Sequence, residues 1–101
     1  MMALRLKETL EYIANSELVW RTTEREIRGL CAKYADRGAD TVSRARWKDA
    51  QAIAKGKGYP LSLIKLVAAL LHGPQADPER AAAALNEYRQ SIGLAPKLGA
   101  K

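Results

Sequence analysis

Read as a helix, the segment from Leu61 to His72 is apolar on nearly every side, and this restricts the folds open to the chain. Its large apolar residues include Leu63, Ile64, Leu66, Val67, Leu70 and Leu71. A helix with so little polar surface needs other helices, or a second subunit, around most of its circumference. The segment contains Ser62 and Lys65 and is far shorter than the roughly 20 residues of a membrane-spanning helix. We therefore expect it to be central in a helical bundle or to be covered by a second copy of the chain.

The rest of the composition also favours helices over strands. The chain has 101 residues, no Phe and only 6% aromatic residues, so Leu, Ile, Val and Ala must supply its core. Ala and Leu have high helix propensity, whereas Ala is depleted in strands. We predict an all-α fold, a compact bundle of four to five helices that forms one domain over residues 1–93, with a C-terminal tail over residues 94–101.

Two helices are predicted ahead of residue 40. The first covers Met1 to Trp20, with a break or kink expected at Asn15-Ser16 because both side chains compete for backbone hydrogen bonds. The second begins at a capping box formed by Thr23 and Glu26. Its apolar face comprises Ile27, Leu30, Cys31 and Tyr34, which follow helical spacing. Gly38 is expected to end this helix in the left-handed conformation.

A third helix is predicted over residues 40–55, capped at its start by Asp40 or Thr41. Its inward side is expected to comprise Val42, Ala45, Asp49 or Ala50, and Ile53. Trp47 falls at the boundary between the buried and exposed faces. The helix is expected to end in the Lys-Gly-Lys-Gly turn of residues 55–58.

Two further helices complete the predicted bundle. Pro60 suits the first turn of the apolar helix, and Gly73-Pro74 is expected to end that helix. Asp77 followed by Pro78 predicts the start of a last helix, because an aspartate cap and a proline at the first position favour helix initiation. The predicted buried line of the last helix comprises Ala81, Leu85, Tyr88 and Ile92, with Gly93 at its end.

The sequence contains no pattern typical of an enzyme or a metal site. Cys31 is the single cysteine, which excludes an internal disulfide and a cysteine-based metal cage. We expect it to be a small core residue. His72 is the single histidine and lies at a predicted helix end, where a cation interacts favourably with the helix dipole. We predict that the protein is not an enzyme and requires no metal or other cofactor.

The positive charge of the chain is concentrated in one region. The formal net charge is +6, and residues 44–65 contribute +5 of it, since Asp49 is the one acidic residue there. The basic residues of this region are Arg44, Arg46, Lys48, Lys55, Lys57 and Lys65. Residues 1–43 are neutral, with seven basic and seven acidic side chains. Such segregation predicts a polyanionic partner for the third helix.

The second and third helices are expected to form a helix-turn-helix over residues 24–55, with Gly38 in the short connection. In that motif the N-terminal part of the second helix reaches base edges in the major groove of DNA. Arg44 and Lys48 are predicted to probe the groove. Arg46, Lys55 and Lys57 are predicted to hold phosphates. The complete set of predicted DNA-binding residues is Thr41, Ser43, Arg44, Arg46, Lys48, Lys55 and Lys57.

These features predict a small DNA-binding protein, either a transcriptional regulator or a DNA-associated accessory protein. Because a single small module binds DNA weakly, we expect a homodimer in which Leu61 to Leu71 or the last helix contributes to the contact. The sequence shows no signal peptide and no membrane span, so a cytoplasmic protein is expected. The alternative is a helical interaction module, an adaptor or inhibitor whose basic face binds an acidic protein.

Two short stretches resemble known DNA-binding motifs. Arg44-Ala45-Arg46-Trp47 is similar to the end of the third helix of a homeodomain, although Val42 and Ala39 stand where a homeodomain has its adenine-reading asparagine and a core aromatic residue. The Gly56-Lys57-Gly58 turn resembles that of a helix-hairpin-helix, although Lys57 stands where that motif has an apolar residue. The second resemblance implies phosphate binding by the turn, and neither assigns the chain to a family.

Overall fold

Four helices make up the described part of the molecule. The computed structural model describes the backbone of residues 2–94 and the side chains of residues 16–94. The helices are α1 (Met2–Ala35), α2 (Thr41–Lys57), α3 (Leu61–His72) and α4 (Pro78–Ser91), and no strand occurs among these residues. The predicted all-α fold is therefore confirmed, and the two helices expected ahead of residue 40 are a single helix.

α1 runs without interruption through both places where the sequence predicts a boundary. The break expected at Asn15-Ser16 and the capping box expected at Thr23 and Glu26 are wrong, because all of these residues are helical. Among the described side chains of α1, the buried ones are Ser16, Trp20, Ile27, Leu30 and Cys31. They form one face that continues across the expected boundary, so burial favours one helix over two. Thr22 fits inside the helix because its hydroxyl donates to the Leu18 carbonyl oxygen at 3.1 Å.

The connection between α1 and α2 covers residues 36–40. α1 ends at Ala35, and Gly38 does not have the positive φ expected of a glycine that ends a helix. Asp40 caps α2, since its Oδ1 accepts a hydrogen bond from the Ser43 backbone N–H at 2.7 Å. This hydrogen bond also holds the pKa of the exposed Asp40 carboxyl below its usual range. The cap predicted at Asp40 is thus confirmed.

Gly58 ends α2 and directs the chain toward α3. Its φ of 78° lies in the left-handed region, and its N–H donates to the carbonyl oxygens of Ala54 and Lys55. The Tyr59 N–H also donates to the Ala54 carbonyl oxygen, at 2.9 Å. Gly56 is helical, so the turn itself contains only one of the two glycines expected there.

α3 has the bounds and the central position that the sequence predicts. It contacts each of the other three helices, and four of its residues are buried. These are Ile64, Val67, Ala68 and Leu70. The Cys31 thiol donates to the Ile64 carbonyl oxygen at 3.4 Å and so joins α1 to α3. Leu66 is a large apolar residue of α3 that remains 46% exposed.

α2 packs antiparallel to the C-terminal half of α1. Trp47 contacts Tyr34 edge-on, with ring centroids 4.8 Å apart. At the other end of α2, Lys57 pairs with Glu26. Higher residue numbers on α2 therefore meet lower numbers on α1, and the two contacts together fix α2 along its length.

The buried face of α2 differs from the predicted one. The buried residues are Trp47, Ala50 and Ala54. Val42 and Ile53, which were expected to face inward, are 58% and 41% exposed, and Ala45 and Asp49 are exposed as well. Two apolar faces compete on this helix. The face that carries Trp47 is buried because an indole removes more apolar surface from water than Val or Ile does.

α4 begins where the sequence predicts. The Asp77 side chain accepts a hydrogen bond from the Arg80 backbone N–H at 3.1 Å, and Pro78 occupies the first helical position. Ala81 and Leu85 are buried and Tyr88 is partly buried, as expected. Ile92, predicted on the same line, is 42% exposed, because the helix ends at Ser91.

Arg89, near the C-terminal end of α4, contacts α1. Arg89 Nη2 donates to the Glu17 carboxylate, and the Arg89 guanidinium lies 5.7 Å from the centre of the Trp20 ring. Leu94 packs against the core after the turn at Gly93. The remainder of the predicted tail, residues 95–101, lies outside the described residues.

Candidate nucleic-acid interface

α2 presents most of its circumference to solvent. All five of its cations are exposed, namely Arg44, Arg46, Lys48, Lys55 and Lys57. Asp49 is its single acidic residue, so the helix has a net charge of +4. Because the helix buries only a narrow stripe, the cations lie on both sides of that stripe.

Arg44, Lys48 and Lys55 form one row, called the basic flank below. They are separated by four and seven residues, which places them within about 40° of one another around the helix axis and along about 16 Å of its length. None of the three forms a salt bridge with a side chain that the structure describes. The structure thus brings together three of the predicted DNA-binding residues as cations without a carboxylate partner among the described side chains.

Lys57 lies on the opposite side of the buried stripe, next to α1. Its ammonium group donates to the Glu26 carboxylate, which also accepts a hydrogen bond from the Tyr59 hydroxyl. The bond from Lys57 is the main reason that the pKa of Glu26 lies below its usual range. Burial, together with the bond to Glu26, raises the pKa of Tyr59 to about 12. Lys57, predicted to hold a phosphate, therefore already has an anionic partner within the protein.

Arg46 lies on the same side as Lys57, near two carboxylates. Its positive charge contributes to the lowered pKa of Asp40. Arg46 also borders a shallow cleft that it shares with Lys33, Asp36 and Ser43. The acidic groups around Arg46 offset part of its charge, which distinguishes it from the basic flank.

The first turn of α2 contains the two short polar residues predicted to contact DNA. Thr41 is exposed. Ser43 is partly buried, and its backbone N–H is already donated to Asp40. Thr41 is therefore the more accessible of the two to a nucleic acid that approaches this end of the helix.

Val42 and Ile53 form an exposed apolar pair that sequence reasoning assigned to the core. Eleven residues separate them, so they lie within about 20° of each other around the axis and about 150° from the basic flank. No sequence signal marks them as exposed, because Val and Ile are usually buried. The outer surface of α2 thus has a basic side and an opposite side, on which Arg46 and Asp49 lie between Val42 and Ile53.

Other groups of chemical interest are the potential metal ligands and the single cysteine. Among the side chains that the structure describes, no group of three or more His, Cys, Asp or Glu residues is arranged to hold a metal ion. Cys31 is fully buried, and burial raises the pKa of its thiol to about 11. Over the described range, no helix is long and apolar enough to cross a membrane.

Comparison with known proteins adds no assignment. No protein-family model matches the sequence, and no curated protein or solved structure was found to be similar to it.

Proposed function

We propose that the protein binds double-stranded DNA through α2, with the basic flank of Arg44, Lys48 and Lys55 toward the duplex. The observation that carries this proposal is the row of three exposed cations that form no salt bridge with the described side chains. Duplex DNA carries one negative charge per about 1.7 Å of its axis, so a row about 16 Å long meets several phosphates. Contact with the flank releases condensed counterions and gives an affinity that falls with salt.

Arg44 is the residue of the flank best placed to read bases. It lies in the first turn of α2, and its planar guanidinium matches the O6 and N7 acceptors of guanine in the major groove. Lys48 lies one turn further along and reaches the edge of the groove. Lys55 contacts phosphate as a point charge. Arg46 lies about 160–180° around the helix axis from the flank, so it faces away from a duplex bound there. Lys57 is left out of this set because Glu26 neutralises it.

The C-terminal part of α1, residues 24–35, is proposed to support α2 as the helix that contacts DNA. The contact between Trp47 and Tyr34 holds α2 against it. The two helices pack antiparallel, whereas the helices of a helix-turn-helix cross at about 90–120°. The helix-turn-helix expected over residues 24–55 is therefore left out of the proposal.

The proposed DNA-binding form is a homodimer that acts as a transcriptional regulator or accessory protein. Two copies of α2 related by a two-fold axis read half-sites about 34 Å apart. Leu66 on α3 and Ile92 after α4 offer exposed apolar surface for the contact, at 46% and 42% exposure. Sedimentation equilibrium of the complex tests this stoichiometry. Two copies per duplex are expected, and one copy contradicts the dimer.

An NMR titration of the isotope-labelled protein with a mixed-sequence duplex tests the interface. At low salt we expect amide shifts to be concentrated between Thr41 and Lys55, with small shifts on α4. A single-stranded oligonucleotide of equal length is the control and should shift the same amides less. Shifts concentrated on α4, or no shifts at all, would contradict DNA binding by α2.

The alternative function is an interaction module whose basic helix binds an acidic protein. The exposed apolar pair of Val42 and Ile53 favours it, because most protein contacts with DNA are made to phosphate and sugar and leave little use for apolar side chains. Substitution of both residues by serine separates the two functions. Unchanged DNA affinity supports the first proposal. Absence of DNA binding in the wild type, together with recovery of one acidic protein that the double variant fails to recover, supports the alternative.

A further inference from the structure

A cleft lies where the C-terminal ends of α1 and α3 meet, outside the basic flank of α2. Its volume is about 310 Å³, which is at the lower end of the range of small-molecule sites. Small apolar residues form part of its wall, including Ala68, Ala69 and Pro74, and Tyr34 contributes an aromatic side chain. A surface of this shape accommodates a small molecule, whereas a DNA duplex is a convex cylinder that is too wide to enter it.

Three basic side chains from two parts of the chain line this cleft. Arg37 comes from the connection between α1 and α2, Lys65 from the middle of α3, and His72 from the last position of α3. None of the lining residues that the structure describes carries a carboxylate. Neither Arg37 nor Lys65 forms a salt bridge with a described side chain. A concave surface lined by cations and free of acids attracts anions.

Arg37 is held in place at the cleft. Its guanidinium carbon lies 3.7 Å from the centre of the Tyr34 ring. Its Nη1 also donates to the Tyr34 carbonyl oxygen at 2.8 Å, which caps the last turn of α1. This bond uses one of the five N–H donors of the guanidinium. A side chain that is already ordered loses less entropy when it binds a ligand, and its free donors have the planar geometry that suits phosphate.

We propose that the cleft binds a small phosphate-bearing molecule. The phosphate lies between Arg37 and Lys65, and the organic part of the ligand packs against Ala68 and Ala69. A phosphomonoester carries a charge of about −1.5 to −2 at neutral pH, which the two permanent cations balance. His72 adds a hydrogen-bonding group at the rim. The inference is independent of DNA binding by α2, since the two sites share no residue.

Phenyl phosphate is a suitable probe, because it joins a phosphomonoester to a small apolar ring. We expect a titration at constant ionic strength to give saturable amide shifts at Tyr34, Arg37, Ala69 and His72. Lys65→Gln should weaken the affinity about tenfold, as expected for the loss of one hydrogen bond to a charged group. Inorganic phosphate should bind at the same amides with lower affinity, because it lacks the apolar ring.

Lys33→Gln is the matched control, since Lys33 is an exposed lysine that does not line this cleft. It should leave the affinity for phenyl phosphate unchanged. Arg37→Lys is a second test that keeps the charge but removes the planar fork, and it should weaken binding while the amide spectrum stays that of the folded protein. The proposal is overturned if the shifts do not saturate or if the wild type and Lys65→Gln bind phenyl phosphate equally. It is also overturned if Lys33→Gln weakens binding as much as Lys65→Gln does. Shifts of the cleft amides with a DNA duplex but not with phenyl phosphate would contradict it as well.

Discussion

Lys57, the last residue of α2, donates a hydrogen bond to the carboxylate of Glu26 on α1. This pair holds the C-terminal end of α2 against α1. The Tyr59 hydroxyl donates to the same carboxylate, so the chain before α3 is attached at the same point. Together with the contact of Trp47 on Tyr34, the pair holds α2 against α1 at two places. The basic flank is therefore presented by a helix whose position is fixed.

Replacement of Glu26 by glutamine should lower the stability at neutral pH and reduce its loss in acid. The folded pKa of Glu26 lies below its usual value of 4.5, so the unfolded chain binds the proton first as the pH falls. The stability from this carboxylate is fully present above the unfolded pKa and is lost as the pH falls through the lower folded pKa. Urea unfolding at neutral and acidic pH measures this stability. Glu87→Gln is the matched change of charge, because Glu87 is exposed and forms no salt bridge with a described side chain. An acid-induced loss in Glu26→Gln equal to that of the wild type would contradict the assignment.

Gly58→Ala should destabilise the protein, whereas Gly38→Ala should not. Gly58 has a φ of +78°, and an L-residue in that conformation costs about 1–2 kcal/mol. Gly38 has no positive φ, and an added Cβ there meets no atom within 4 Å. Free energies of unfolding from urea titrations of both variants test the difference. Equal values for the two would show that the end of α2 does not need the left-handed conformation.

Trp47→Ala should cost about 3–5 kcal/mol of unfolding free energy, because it leaves a cavity between α2 and Tyr34. Val42→Ala should change the stability by less than about 0.5 kcal/mol, because Val42 is 58% exposed. Thermal or urea unfolding of the two variants tests which face of α2 is buried. A larger loss of stability in Val42→Ala than in Trp47→Ala would indicate that the face expected from the sequence is the buried one.

Cys31 should be unreactive in the folded protein. Its side chain is 0% exposed and the pKa of its thiol is raised to about 11, so little thiolate is present and reagents have no access to it. Modification by a thiol reagent at mildly alkaline pH should proceed at a rate limited by unfolding, and denaturant should abolish the protection. Rapid modification of the native protein would show that Cys31 is not in the core.

Local signals account for the helix bounds that the sequence predicts well. The pair Asp77-Pro78 starts α4 and Gly73 ends α3 by short-range hydrogen bonding and backbone restriction, which the sequence shows directly. The continuity of α1 across Thr23 and the burial of Trp47 depend instead on contacts with distant residues. Where local and tertiary preferences compete, burial of the largest apolar surface determines the result.

In the candidate site, too, some features follow from the sequence and one depends on contacts between distant residues. The exposure of Arg44, Lys48 and Lys55 follows from their charge and spacing on one helix. The neutralisation of Lys57 does not, because its partner Glu26 is 31 residues away along the chain. Charge counted along the sequence therefore overstates the charge that the turn after α2 offers to DNA.

Fluorescence anisotropy of a labelled duplex across a salt series tests DNA binding by α2 most directly. The variant R44Q/K48Q/K55Q removes the basic flank, and R21Q/R25Q/R80Q removes the same charge from exposed positions on α1 and α4. The wild type should bind at low salt with a negative slope of log K against log salt. Removal of the flank should reduce the magnitude of that slope by about 0.9 for each phosphate that the variant no longer neutralises. The control variant should keep the wild-type slope. Absence of binding at low salt would contradict the proposal. So would a slope whose magnitude falls equally in the two variants.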